Sequence, residues 1–275
     1  MIVELQRQLR RRRTVFGLLG IAAVPVLLAI AFLLSGDGGG DGAGGGGGGG
    51  GGDPTGLFDL ATASGLNFAL MSTAATAPFL LLAVVALFTG DTVSSEASWG
   101  SLRYLLTRPV PRSRLLARKF AVGVLLSVVE ALLVPLSGLI AGTLAFGWGD
   151  VQTPFGMLAA GPALGRLVAI VAYLAWSSAW VAGVAFAWST LTDAPVGAVA
   201  GTIVLVIVVQ ILDAITALGV LRTYLPVHEL TAWIGLLAAP PQWGELTRGI
   251  VLQVPYLAGA LGFAFWWFGR KDVLS

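Results

Sequence analysis

The sequence predicts an all-α polytopic membrane protein with six transmembrane helices. Three observations predict it. Hydrophobic residues make up 56% of the 275 positions and charged residues only 11%, too little polar surface to coat a globule of that size. Six apolar blocks are each long enough to cross a hydrocarbon core of about 30 Å at about 1.5 Å per residue. The basic residues are concentrated in alternate connections between those blocks, the pattern expected when one face of a membrane retains positive charge.

The first block, residues 15–34, follows a polar start that carries Arg7, Arg10, Arg11, Arg12 and Arg13. A basic start before an apolar run also describes a secretory signal, but this run is long enough to span and no small-residue cleavage site closes it. It reads as a retained first helix, kinked at Pro25 because proline removes a backbone donor and clashes with the preceding turn. Residues 36–56 form a glycine tract with Asp37, Asp41 and Asp53. Glycine at that density offers nothing to pack and costs maximal backbone entropy, so the tract is expected to be a disordered loop outside the membrane. A phosphate-cradling loop would need a strand before it and a helix opening with Lys and Ser/Thr after it, and neither is present.

The second block covers 67–88 and ends at Gly90-Asp91. Four more follow at 120–146, 167–191, 196–218 and 250–268. The third and fourth are joined through 150–165, which contains Pro154 and Pro162, and the fourth and fifth by the tight turn 192–195. Between the fifth and sixth, the apolar piece 230–239 is too short to cross, so an outer re-entrant or interfacial half-helix is expected there. Six crossings put both termini on one side. Thirteen of the sixteen Lys and Arg fall before the first block, within 91–119, or at Arg270-Lys271, against Arg166, Arg222 and Arg248 in the opposite connections. The first group, with both termini, is therefore expected to be cytoplasmic. The whole chain, 1–275, reads as a single transmembrane domain.

The polar segment 91–119 is the one long water-facing stretch between two apolar blocks. Its residues Trp99, Leu102, Leu105 and Leu106 recur at helical spacing, which predicts a short amphipathic helix ended by Arg108-Pro109, with a basic turn over 112–119 leading into the third crossing. Physics alone leaves two placements open. The helix could lie on anionic headgroups through its arginines, or it could dock on a protein.

The order Gly90-Asp91, Glu96, Gly100-Ser101-Leu102-Arg103, Leu105-Leu106, Arg108-Pro109-Val110, Arg112, Leu115-Leu116 and Lys119 resembles the first cytoplasmic loop of ABC-2-type permeases, the membrane subunits of a class of ABC exporters. The six-helix plan and the aromatic run before a short basic end, Phe265-Trp266-Trp267-Phe268-Gly269-Arg270-Lys271, agree with that resemblance. It implies a permease in the cell membrane, the inner membrane of a prokaryote. Two copies, or one copy and a homologue, would pair. Each would seat the loop helix, the coupling helix, in a cleft of a cytoplasmic ABC ATPase subunit, likewise present in two copies. The residues implied at that interface are Glu96, Trp99, Gly100, Leu102, Arg103 and Arg108. Membrane lipid is the other partner, and no nucleic acid is implied.

No catalytic residue, metal site or cofactor site is predicted in this chain. Its two lysines, Lys119 and Lys271, do not follow glycine, so there is no P-loop, and the resemblance places ATP and Mg in the partner ATPase. With no cysteine, disulfides and thiol chemistry are excluded; with one histidine, His228 beside Glu229, a metal or acid-base site has little material. Two alternatives stand beside export. The permease could transmit mechanical work to an extracytoplasmic partner, or the chain could be a motor-independent assembly factor or enzyme. One intramembrane polar residue is a candidate functional group: Glu130, near mid-bilayer, where an unpaired charge costs at least about 2.5 kcal/mol. It reads either as a cargo or proton contact or as a carboxyl bonded to a neighbouring helix.

Overall fold

The computed structural model describes residues 2–35, 57–98 and 111–270 of the 275. The glycine tract 36–56 and the predicted coupling helix, with Trp99, Gly100, Leu102, Arg103 and Arg108, lie outside the described residues.

Six helical segments are long and apolar enough to cross a membrane: Arg12–Leu34, Gly65–Ser98, Arg112–Phe146, Ala160–Leu191, Pro195–Ala214 and Gly244–Arg270. The chain opens with a separate short helix, α1 (Ile2–Leu9), that turns into α2 (Arg12–Leu34), the first crossing. The second crossing is α3 (Gly65–Thr76), a π turn over Ala77–Leu81, and α4 (Leu82–Ser98). Pro78 sits inside the π turn; a missing N–H is what such a widened turn accommodates. Ser64 caps α3 by accepting from the Asn67 N–H at 3.2 Å.

The third crossing, α5 (Arg112–Phe146), begins at the basic residues themselves, so the predicted basic turn over 112–119 is helical. A helix that emerges from the bilayer keeps its backbone bonds while its arginines reach water, so charge does not end it. It stops at Gly147, whose φ of 79° suits glycine, and whose N–H bonds the Thr143 carbonyl. The connection between the third and fourth crossings holds a two-stranded antiparallel hairpin, β1 (Val151–Thr153) and β2 (Gly156–Leu158), with Val151 opposite Leu158. The buried Asn67 amide fastens this hairpin to α3, donating to the Gln152 carbonyl at 2.6 Å and accepting from its N–H at 2.9 Å.

The fourth crossing is broken at Ser178 into α6 (Ala160–Ser177) and α7 (Ala179–Leu191). The fifth, α8 (Pro195–Ala214), ends earlier than its apolar run because Ile215 leaves the helix at φ −80°, ψ 99°. Beyond it come two 3₁₀ stretches, Thr216–Tyr224, interrupted at Gly219 (φ 52°, ψ −124°), and Ala232–Leu237, which stands where the half-helix over 230–239 is expected. The second is anchored by Arg166, which donates to the carbonyls of Leu236 at 2.8 Å and Ala238 at 2.7 Å, satisfying groups that a single short turn leaves open. The last crossing is α9 (Gly244–Arg270).

The second and fourth crossings form the centre of the bundle, whereas α2, α8 and α9 turn broad apolar faces outward, with Phe16, Leu27, Val204, Ile211 and Val251 exposed. Such faces suit hydrocarbon. Glycines set the closest approach. A Cβ on Gly142 would stand 2.6 Å from that of Phe68, and one on Gly123 would stand 2.7 Å from the Thr89 methyl. Thus α5 lies directly against both halves of the second crossing.

Candidate functional site

Four elements converge at the basic end of the bundle: α1, the start of α2, the last turns of α4 and the first turns of α5. The last turns of α4 and the first of α5 flank the undescribed residues 99–110, so whatever that segment does is transmitted through them. Their side chains form an ionic network, buried at Asp91, Glu96 and Lys119 and opening to solvent at Arg7 and Arg13. Glu96, fully buried, accepts from Arg7 at 2.7 Å and lies 2.7 Å from the Lys119 ammonium. Lys119, only 2% exposed, also reaches Glu4 at 3.3 Å and donates to the Thr92 carbonyl at 3.1 Å. One turn earlier on α4, Asp91 is bracketed by Arg11 at 2.9 Å and Arg13 at 3.1 Å, and Arg11 further bonds the Ser95 hydroxyl at 3.0 Å.

Local sequence explains each placement. Asp91 and Ser95, four residues apart, share one stripe of α4 with Glu96 on the adjoining flank, and the turn between α1 and α2 brings Arg7 and Arg11 to that side. Three carboxylates, Glu4, Asp91 and Glu96, thus face four cations, Arg7, Arg11, Arg13 and Lys119. Buried charges persist only when paired and hydrogen-bonded, and losing one partner strands the other. Below the network, Val93, Leu116, Phe186, Ala187, Ala264 and Phe268 pack as an apolar cluster that joins the second, third, fourth and sixth crossings. The Ser189 hydroxyl of α7 bonds the N–H groups of Val93 and Ser94, each at 3.0 Å. The turns one step in from residues 99–110 are therefore anchored, at Val93 and Glu96 on α4 and at Leu116 and Lys119 on α5.

Glu96, expected from the sequence on a docking surface, is an internal residue of this network. The other five expected interface residues lie outside the described residues. Lys119, Glu4, Arg7, Arg11, Arg13 and Asp91 were not singled out from the sequence as a constellation. The available signal was Lys119 itself, a lone lysine at the mouth of an apolar helix that needs a counter-charge.

Glu130 lies in α5, fully buried, and neither carboxyl oxygen has a hydrogen-bond partner among the described residues. The bond to a neighbouring helix that one reading of the sequence expects is therefore not found among them.

At the far end, His228 pairs with Asp213 at 2.7 Å instead of with its neighbour Glu229, while Glu229 lies 3.6 Å from Arg248. Tyr173 donates to the Glu229 carbonyl. Among the described residues no three His, Asp or Glu side chains converge as a metal site. Burial pushes the Glu229 carboxyl above its usual value of 4.5; His228 and Arg248 pull it back, and Glu245 and Asp213 add to the rise. An acid whose pKa rises on folding contributes stability that is fully present below its unfolded value and lost as pH rises through the folded one. Acidification from neutral pH is thus expected to tighten the packing of the segment that carries Glu229. Hydrogen exchange of residues 229–238, corrected for intrinsic rates, should slow, and Glu229→Gln should remove that pH dependence.

A family model described as ABC-2 family transporter protein matches residues 3–208. That range takes in nearly all of α1, the whole ionic network, the first four crossings and most of the fifth. No curated protein is similar enough in sequence to match the chain.

Proposed function

The chain belongs to the ABC-2 family of transporter membrane proteins, and from that premise we propose that this permease is the export subunit of an ABC transporter driven by a separate cytoplasmic ATPase. Two permease copies and two ATPase subunits form the assembly. Trp99, Gly100, Leu102, Arg103 and Arg108 make the contact with the ATPase. Glu96 serves as the anchor of that lever and not as its contact face.

The observation that supports this reading is the clamped base of the segment. A stroke delivered to residues 99–110 reaches the bundle only if the adjoining turns of α4 and α5 move as one body. The Glu96–Lys119 pair at 2.7 Å ties α4 to α5, and the Arg7–Glu96 pair at 2.7 Å and the Arg11–Asp91 pair at 2.9 Å tie α4 to α1 and to the start of α2. Aromatic and arginine residues dominate interface energetics, which makes Trp99 the central contact.

The test is co-purification with the cognate ATPase, followed by its activity in proteoliposomes. The complex is expected to survive washing. Trp99→Ala with Arg103→Glu should lower permease-stimulated ATPase activity at least about tenfold, the scale of a lost interface anchor, without unfolding the permease. A permease that binds no ATPase, or a double variant with full stimulation, would overturn the proposal.

A further inference from the structure

The arginine run 10–13 is only half used by the ionic network. Arg11 and Arg13 reach Asp91, whereas Arg10 and Arg12 are exposed and form no ion pair among the described residues. The three carboxylates of the network are already taken, Asp91 by Arg11 and Arg13, Glu96 by Arg7 and Lys119, and Glu4 by Lys119. Arg12 is also the first residue of α2, whose first turn holds no acidic residue and whose N-cap, Arg11, makes no side-chain cap. A cation there opposes the helix dipole, so an anion from outside the chain is favoured at this helix start.

A second helix brings a matching arginine to the same depth. Gly17 of α2 packs on Phe88 and Gly123 of α5 packs on the adjoining Thr89, so the two glycines are level. The two helices run in the same direction and pack side by side, Leu18 of α2 sharing one apolar cluster with Val122 and Leu126 of α5. Five residues before each glycine stand Arg12 and Arg118, each about 7.5 Å closer to the basic end. Five residues also turn a helix by about 140°, which directs both arginines away from α4. Arg118, too, is exposed and forms no ion pair among the described residues. Packed helix axes stand about 8–10 Å apart, a gap that two long arginine side chains close on a single phosphate.

On the membrane side of these arginines, both helices are apolar and exposed. Phe16 and Leu19 follow Arg12 by four and seven residues, and Leu125 and Val129 follow Arg118 by seven and eleven, so each arginine heads a stripe that faces lipid.

We propose that Arg12 and Arg118 together bind the phosphate of one anionic phospholipid, whose acyl chains lie along Phe16, Leu19, Leu125 and Val129. A phosphate accepts from two guanidinium groups at once, a planar fork that suits arginine better than lysine. Arg10, exposed in the turn before α2, disfavours choline and ethanolamine headgroups, whose ammonium would meet a third cation. The headgroup balances arginines that the network's carboxylates leave over. It thereby steadies the turn from which Arg7 and Arg11 reach α4.

The site is tested on the full chain in dodecyl maltoside micelles, without ATPase, so its failure is distinct from failure of the coupling proposal. Phosphatidylglycerol, or phosphatidylcholine with the same acyl chains, is titrated in while thermal unfolding is followed and retained lipid is read by native mass spectrometry. Phosphatidylglycerol should raise the unfolding midpoint saturably and remain bound, and phosphatidylcholine and inorganic phosphate should do neither. Arg12→Gln with Arg118→Gln should weaken phosphatidylglycerol binding at least about tenfold, the equivalent of one lost charge-assisted hydrogen bond. Arg270→Gln, which removes another exposed arginine, one that lies over Trp266, should leave it unchanged. An equal rise with phosphatidylcholine or inorganic phosphate, undiminished binding in the double variant, or an equal loss in Arg270→Gln would overturn the proposal. Should the double variant fail to fold, Arg12→Gln alone decides, and unchanged phosphatidylglycerol affinity in it would overturn the proposal as well.

Discussion

Lys119→Met is expected to destabilise the permease by about 3–5 kcal/mol, the usual consequence of removing one partner from a buried ion pair. The substituted side chain matches the lysine stem in length, so packing against α4 is retained and the change is electrostatic. What is lost is the ammonium that contacts Glu96 at 2.7 Å, Glu4 at 3.3 Å and the Thr92 carbonyl at 3.1 Å. Glu96, fully buried, cannot recover the loss from water. Combining Lys119→Met with Glu96→Leu should restore more than half of the stability, because a matched apolar pair removes both desolvation costs together. Denaturant unfolding in mixed micelles, read as a double-mutant cycle, gives the coupling energy directly. A single variant as stable as the wild type would show that the network does not hold the two helix ends. The combined variant should be well folded yet poorly coupled, since nothing then ties α1 to the base of the lever through Lys119.

Gly142→Ala should cost about 1–3 kcal/mol, the range for forcing one extra carbon into a close-packed interface, and Gly142→Leu should prevent folding. The added Cβ would meet Phe68 at 2.6 Å, the Gly65 carbonyl oxygen at 2.9 Å and the Gly65 Cα at 3.0 Å. Two of those three atoms are backbone and cannot swing aside. Gly65 has the reciprocal problem, with its own added carbon 2.6 Å from the Thr143 nitrogen, so Gly65→Ala should behave alike. Gly161, which has open space around it, is the control and should tolerate alanine. Melting temperatures in detergent separate the three. In lipid there is no hydrophobic drive between helices, so contact made possible by small residues accounts for much of the association.

Six crossings were legible from the sequence because run length and charge asymmetry are one-dimensional quantities that a bilayer reads directly. Block ends were less legible. Arg112–Lys119 looked like a turn because its residues are charged, yet backbone bonding carries α5 through them. The piece 230–239 was recognisably too short to span, but its 3₁₀ form depends on carbonyl acceptance by Arg166, some seventy residues away in the chain. The motif over residues 90–119 pointed to the family from order alone. It did not show that Glu96 faces inward, because burial belongs to the assembled ends of four helices.

The sequence by itself determined the membrane class, the number of helices, the absence of a P-loop and the resemblance that the family match bears out, all of which rest on composition, length and local order. Only the tertiary structure decided that Arg7 and Glu96, 89 residues apart, are partners, and that Glu130 is fully buried with no hydrogen-bond partner among the described residues. Side-chain partners in a bundle are set by which helical stripes meet and at what register. That register is fixed by close glycine contacts between helices distant in the chain, a property that no single stretch of sequence carries.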